Sequence, residues 1–298
     1  MNNNIDIIIP VFTDDKKEIS LSLISLANQT LSDFTVIWLV NMKYQKAFDF
    51  ILNEVSKSKY QNLKSEVFIE DFQNIAHAMN HAVMNSESEK FIFTKTGVIH
   101  NKNWFETIQN ELTENRAVQT ICGNSAGIFG DRKLRFKLHY RIFDSLFNQN
   151  SNNEFLDLRS FGIWRQDFLN AGMFNKNICA AEDFDLFLKL EQINLNIKFI
   201  NDSVLSFSSK LNFKKLLDLE FQKAYNLVIL LALNYIPFYD ISKLVEYLQN
   251  EVKIERDSYS NFYNKQKFRK FDHSFKAGAK KAMDEMWDYF EEKSIAYE

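Results

Sequence analysis

The chain has 298 residues, a quarter of them charged, and a formal net charge of −3. That near balance supplies no global field for a polyanion and excludes nucleic acid as the expected partner. Cys122 and Cys179 are its only cysteines and neither sits in a CxxC pair, which excludes a disulfide framework or a thiolate zinc site and fits a reducing compartment.

The opening MNNNIDIIIPVF carries no basic segment ahead of its apolar run, which breaks at Pro10, so it reads as a strand rather than a signal peptide. The longest later apolar run, LVILLAL (227–233), is far short of the roughly 20 residues that cross a bilayer. The expected location is the cytoplasm.

IDIIIPVF (5–12) predicts a buried parallel strand. Thr13, Asp14 and Asp15 then start a helix, in which Ile19, Leu23 and Leu26 recur at helical spacing. FTVIWLV (34–40) is a second strand, followed by a helix through AFDFILNEV. SEVFIE (65–70) predicts a third strand, NIAHAMNHAVMNS a helix, and KFIFTKT (90–96) a fourth strand. This alternation predicts a mostly parallel sheet flanked by helices, Rossmann-like over about the first 120 residues. No GxGxxG or GxxxxGK[ST] occurs, which removes the dinucleotide fingerprint and the P-loop.

CGNSAGIFGD reads as a loop, RKLRFKLHYRIFDSLF as a basic amphipathic stretch and NQNSNNE as a second loop. LRSFGIWRQDFLNAGMF then leads to AAEDFDLFLKL (180–190), where Glu182, Asp183 and Asp185 crowd the front of a buried helix. NIKFINDSVLSFSS (196–209) predicts a strand, and from Leu211 the pattern is helical to the end. We therefore expect an α/β domain over 1–208 and an α-helical region over 209–298. In that region FKKLLDLEFQKAYNLVILLALNYI is suited to pack on the sheet domain or on a second copy in a homo-oligomer. The basic, Phe-rich KQKFRKFDHSFKAGAKK (265–281) suits peripheral contact with anionic lipid at the inner face of a membrane. Pairing with the acidic stretch that follows is the ordinary alternative. His77 and His81 share a helix face but lack a third ligand at obvious spacing, and no GxSxG elbow occurs.

Three segments resemble family-two glycosyltransferases of the GT-A fold. IDIIIPVFTDDKKEISLSLISLANQT is similar to the family's opening strand, Pro-Val-Tyr-Asn and helix ending in Leu-x-Asn-Gln-Thr. AMNHAVMNSESEKFIFTKTG resembles its Ala-Arg-Asn-x-Gly helix and the next strand, and NAGMFNKNICAAEDFDLFLKL its Gly-x-Phe followed by Glu-Asp-x-Asp-Leu. The resemblance spans roughly residues 5–207. It implies transfer of a sugar from a nucleotide sugar, a UDP-sugar first among them, to a glycan or lipid-linked glycan in surface-polysaccharide assembly, with inversion at the anomeric carbon. Asp183 falls at the family's base position, taking the acceptor proton as the bond forms, with Glu182 beside it as orienter. Asp185 lies about 200° round the helix from Asp183 and is expected to cap or to pair with a cation. The resemblance places Pro10, Phe12 and Asn41 around the nucleoside and Asp14 at its edge.

The chain departs from the family on the donor side. Where the family carries a metal-binding Asp-x-Asp, this sequence reads TKTG (94–97), and Met79 replaces the arginine of Ala-Arg-Asn. A hard divalent cation wants carboxylate oxygen, so no metal is expected here. Lys95 is the natural replacement at the leaving diphosphate, with Arg165 and Lys43 as further cations. The rival reading is a catalytically inactive subunit that keeps the shape and binds a partner enzyme or a glycan.

Overall fold

The computed structural model describes residues 4–120, 156–178, 181–200 and 206–207, with parts of 218–229 and 273–285. The loops and basic stretch expected between 121 and 155 lie outside the described residues, as does the expected boundary at 208/209. Of 265–281, residues 273–274 and 276–281 are described.

A seven-stranded sheet forms the frame. In chain order its strands are β1 (Ile5–Val11), β2 (Phe34–Asn41), β3 (Lys64–Glu70), β4 (Lys90–Phe93), β6 (Ala117–Thr120), β7 (Phe161–Trp164) and β8 (Ile197–Ile200). They lie side by side as β3-β2-β1-β4-β7-β6-β8. A separate antiparallel pair joins β5 (Val98–Ile99) to β9 (Ser206–Phe207). The single strand expected over 196–209 is thus two: β8 runs parallel to β6, ending at Thr120↔Ile200, whereas β9 belongs to the other sheet.

The helices are α1 (Lys16–Ala27), α2 (Gln45–Val55), α3 (Ile75–Asn85), α4 (Trp104–Glu114), α5 (Arg165–Asn170) and α6 (Glu182–Gln192). β1, β2, β3 and β4 are mutually parallel, and the first three alternate with helices as the periodicity predicts. All seven residues of β1 are buried, which suits a central strand covered on both faces. One face packs Ile5, Ile7, Ile9 and Val11 with Ile19 and Leu23 of α1, Ile51 of α2 and Trp104 of α4. On β4 and β7 an aromatic cluster gathers instead, where Phe93 lies 5.3 Å from Phe168, 5.2 Å from Phe174 and 6.4 Å from Phe161. β7 is antiparallel to both of its neighbours. Gly162 lets it pass under α4, because a Cβ there would stand 2.9 Å from Ile108 and 3.0 Å from Leu112.

The chain divides into two compact units, the second including Leu211–Glu298. In that unit the described residues of 218–229 and 273–285 are helical. Two helices meet at Gly278, where an added Cβ would sit 2.2 Å from the Phe221 carbonyl oxygen. Nearby, Tyr225 hydrogen-bonds Glu285, which also pairs with Lys281 at 3.5 Å. Gly278→Ala must force these helices apart, and we expect a loss of about 1–3 kcal/mol. Thermal unfolding followed by helical circular dichroism checks it; an unchanged midpoint would mean the contact is not tight. Among the described residues no helix is long and apolar enough to cross a membrane.

Candidate active site

Pro10 opens the sheet where a ligand site belongs. β1 and β4 pair only from Ile5↔Lys90 to Ile8↔Phe93, and the Thr94 N–H still donates to the Ile8 carbonyl at 3.1 Å. Two residues on, Pro10 faces the same side and has no N–H to offer, so β4 is released there while β2 continues to Pro10↔Leu39 and beyond. The strand order turns at this place too, with β2 and β3 on one side of β1 and β4 on the other. In open α/β sheets, the carboxyl ends of strands at such a switch point form the binding crevice.

On the β1–β2 side, Phe12 is half-buried and its ring meets Tyr44 edge-on at 6.4 Å. Asn41 closes β2, buried, with its amide committed to backbone. Its Oδ1 accepts from the Lys43 N–H at 3.0 Å and its Nδ2 donates to the Phe72 carbonyl. Asp14 is exposed, and its Oδ1 accepts from the Ala47 N–H at 3.1 Å, satisfying an orphan donor at the start of α2. Both side chains therefore have structural tasks at the place where the resemblance puts a nucleoside.

On the β4 side the chain turns through Thr94–Val98, with Gly97 in the left-handed region at φ +81°. The Gly97 N–H donates to Ser22 of α1 at 2.9 Å. Thr94 is fully buried, and its hydroxyl lies 3.0 Å from His100 Nε2 and donates to the Arg159 carbonyl at 2.8 Å. His100 also meets Ser25 of α1 at 3.4 Å and lies tilted against Trp104, with ring centres 3.7 Å apart. Burial pushes this imidazole down to about 3, against a weaker opposing bond to the Arg159 backbone, so it is neutral. His100 reads as an isolated histidine in the sequence and proves to be the hub beneath the turn.

The turn brings Lys95 to the front of α6. Its ammonium lies 3.7 Å from Glu182 Oε1, with the lysine side chain 30% exposed and the glutamate 7%. Next to Glu182, the half-buried Asp183 accepts from the Phe184 N–H at 3.0 Å and has no ion-pair partner among the described residues. Asp185 turns the other way, pairing with Lys189 at 2.7 Å and accepting from the Asn175 N–H at 3.2 Å. Lys189 in turn donates to the Met173 carbonyl at 3.0 Å. Asn80 of α3 grips the same loop by exchanging two bonds with the Phe174 backbone, at 2.8 and 3.1 Å, and Asn74 donates to the Lys176 carbonyl at 2.6 Å. Two separate sequence motifs are thereby tied together, and α6 is oriented with Glu182 toward Lys95.

Arg165 is a correction. It stands just past Trp164, which registers with Lys90 at the amino end of β4. Its N–H donates to the Glu89 carbonyl at 2.7 Å and its guanidinium to the Ser86 carbonyl. Lys95 follows the other end of that strand, some 16 Å away at about 3.3 Å per residue. Because β7 is antiparallel, its trailing residue reaches the bottom of the sheet and takes no part in the crevice.

Sequence reasoning missed Asp157 and Arg159. Asp157 is buried and paired with Arg159, whose Nε lies 2.9 Å from each carboxylate oxygen. A short Asp-x-Arg ahead of an apolar run was the available signal, and without β7 nothing placed it at the crevice.

No protein-family model and no curated protein matches the chain, but solved structures do. The mannosyltransferase PcManGT of Pyrobaculum calidifontis, solved with GDP-Man and Mn2+, superposes over 95% of this chain and 87% of its own, with a TM-score of 0.64 at 14% identity. TarS 1–349 of S. aureus matches over 93% of this chain and 90% of its own, with a TM-score of 0.53 at 11% identity. The same TarS segment solved with UDP-GlcNAc gives 0.53 at 12% identity. The chain has the GT-A fold.

The residues at the expected metal position of this fold do not fit a divalent cation. Thr94 spends its hydroxyl on His100 and Arg159, and Lys95 presents a positive charge. Among the described residues no group of three His, Cys, Asp or Glu side chains is arranged to hold a metal.

Proposed function

We propose that this GT-A chain is an inverting glycosyltransferase that works without a divalent cation. It moves a sugar from a nucleotide sugar to a saccharide or lipid-linked saccharide acceptor of surface-glycan assembly. The observation that supports the reading is the Lys95–Glu182 pair at 3.7 Å, which joins a cation after β4 to the residue just before Asp183.

Inversion in one displacement needs a carboxylate behind the acceptor oxygen and positive charge before the leaving diphosphate. Asp183 supplies the first, taking the acceptor proton as the oxygen attacks the anomeric carbon. Lys95 supplies the second, as the bond to the nucleoside diphosphate breaks. Pro10 and Phe12 line the nucleoside side of the crevice. The donors named in the neighbouring structures, GDP-Man and UDP-GlcNAc, make GDP and UDP the first probes.

Calorimetry with UDP and GDP, in chelator and then in manganese, tests the reading. One of the two should bind in chelator. Lys95→Ala should weaken that binding by about 10- to 100-fold, as for a lost charge-assisted bond, and leave nucleoside binding unchanged. Silence toward both diphosphates would support a non-catalytic GT-A subunit instead. Binding only in manganese would overturn the metal-free mechanism.

A further inference from the structure

A second cation stands beside Lys95. Just past the last β4–β7 pair, Phe93↔Phe161, the turns carrying Lys95 and Arg159 come together, and the Lys95 ammonium acts on Asp157, the partner of Arg159. The Thr94 hydroxyl, bonded to the Arg159 carbonyl at 2.8 Å, holds the two turns together. Arg159 is not loose. Its Nε is equidistant from both Asp157 oxygens at 2.9 Å, Nη2 also donates to that carboxylate, and its own N–H donates to Asp157 Oδ1 at 3.0 Å. The Asp157 N–H is anchored on Gln119 Oε1 of β6 at 2.8 Å. The arginine side chain keeps 18% exposure, against 9% for the aspartate.

We infer that Arg159 is a second diphosphate-binding cation, and that Asp157 is the residue that positions it beside Lys95. This rests on the donor-site reading above and extends it. A divalent cation on two carboxylates places two positive charges before a diphosphate, over two negative charges that hold them. Among the described residues, Lys95 on Glu182 and Arg159 on Asp157 match that count with side chains alone. The guanidinium adds what an ammonium lacks, a planar fork that matches two phosphate oxygens at once. Burial by itself would push the Asp157 carboxyl up. The adjoining Arg159 guanidinium, joined by the Lys95 ammonium, instead holds it well below the usual carboxylate range, so the holder stays charged.

The plain alternative is that Asp157 and Arg159 only staple the turn to β6. Selectivity separates the two, because a staple has no means of telling a diphosphate from a nucleoside. The probes are UDP and GDP, whichever the wild type binds more tightly, and the matching nucleoside, all in chelator. Arg159→Lys keeps the charge but loses the fork, and should weaken diphosphate binding about tenfold with nucleoside affinity unchanged. Asp157→Asn removes the carboxylate charge that positions the guanidinium, and should weaken the diphosphate alone by about fivefold. Arg159→Gln strands a buried carboxylate, so Arg159→Gln/Asp157→Asn is measured beside it, with melting temperatures for all. If Lys95→Ala loses diphosphate affinity while folded Arg159 variants bind as the wild type does, Arg159 is a staple and the inference falls alone. A wild type that binds neither diphosphate removes the donor-site reading, and this inference with it.

Discussion

Asp183→Asn should slow sugar transfer by about 10²- to 10⁴-fold while nucleotide affinity stays within about twofold of the wild type. Asparagine matches aspartate in size and keeps an oxygen for the Phe184 N–H, so the start of α6 is not disturbed. What it loses is the capacity to take a proton. Glu182 is no substitute, because it is buried and faces Lys95 across 3.7 Å, on the diphosphate side of the proposed site. Steady-state kinetics with a transferring donor–acceptor pair, alongside calorimetry with the nucleotide, read the two quantities separately. Undiminished turnover removes Asp183 from the chemistry. Loss of nucleotide binding in step with turnover would move it to the donor side. Glu182→Gln provides the contrast, since it removes the partner of Lys95 and should alter nucleotide affinity as well as rate.

What the sequence made legible depends on where each strand is buried. β1, β2 and β4 are fully or almost fully covered and therefore appear as unbroken apolar runs. β3 alternates exposed and half-buried residues along its length, and SEVFIE shows that period of two. β6 and β7 are four residues each, and β7 carries Gly162 at its centre, so neither rises above the loops around it. Missing β7 had a chemical consequence. Its antiparallel register carries Arg165 to the far end of the sheet, and the turn before it is tied to the turn after β4 by the Thr94 bond to the Arg159 carbonyl. Arg165, expected as a further cation beside Lys95, therefore bonds the Ser86 and Glu89 carbonyls at the far end instead. Asp14 and Asn41 show a further limit. Their residue types suit a base edge, yet Asp14 Oδ1 also holds the α2 terminus, and the Asn41 amide bonds the turn after β2 and the Phe72 carbonyl. Composition reveals which groups a side chain carries, and only coordinates reveal which are already taken.

The buried His100 makes the fold beneath Lys95 sensitive to mild acid. Nδ1 faces Ser25, Nε2 faces Thr94, and Trp104 covers the ring. The assignment consistent with these bonds has Nε2–H donating to Thr94 Oγ1, whose own proton goes to the Arg159 carbonyl. A second ring proton would add a charge to a buried ring. In the folded protein burial holds the imidazole down to about 3, and in the unfolded chain it titrates near its ordinary value of 6.5. Between those values the unfolded state binds more protons, so stability rises with pH. It is fully present above pH 6.5 and lost as pH falls toward 3. Denaturant titrations at pH 7 and pH 5 should differ by about 2 kcal/mol from this group alone. Asp6 and Glu191, raised by burial, act in the opposite direction, so the wild type is compared with a His100 variant that keeps both. His100→Gln, which can still reach Thr94, should be less stable at pH 7 and lose about 2 kcal/mol less than the wild type between 7 and 5. A wild type that loses no more than this variant would mean that His100 takes up its proton in place. In that case the neutral hub under Lys95, and the fixed turn it maintains, would be the wrong description of this end of the sheet.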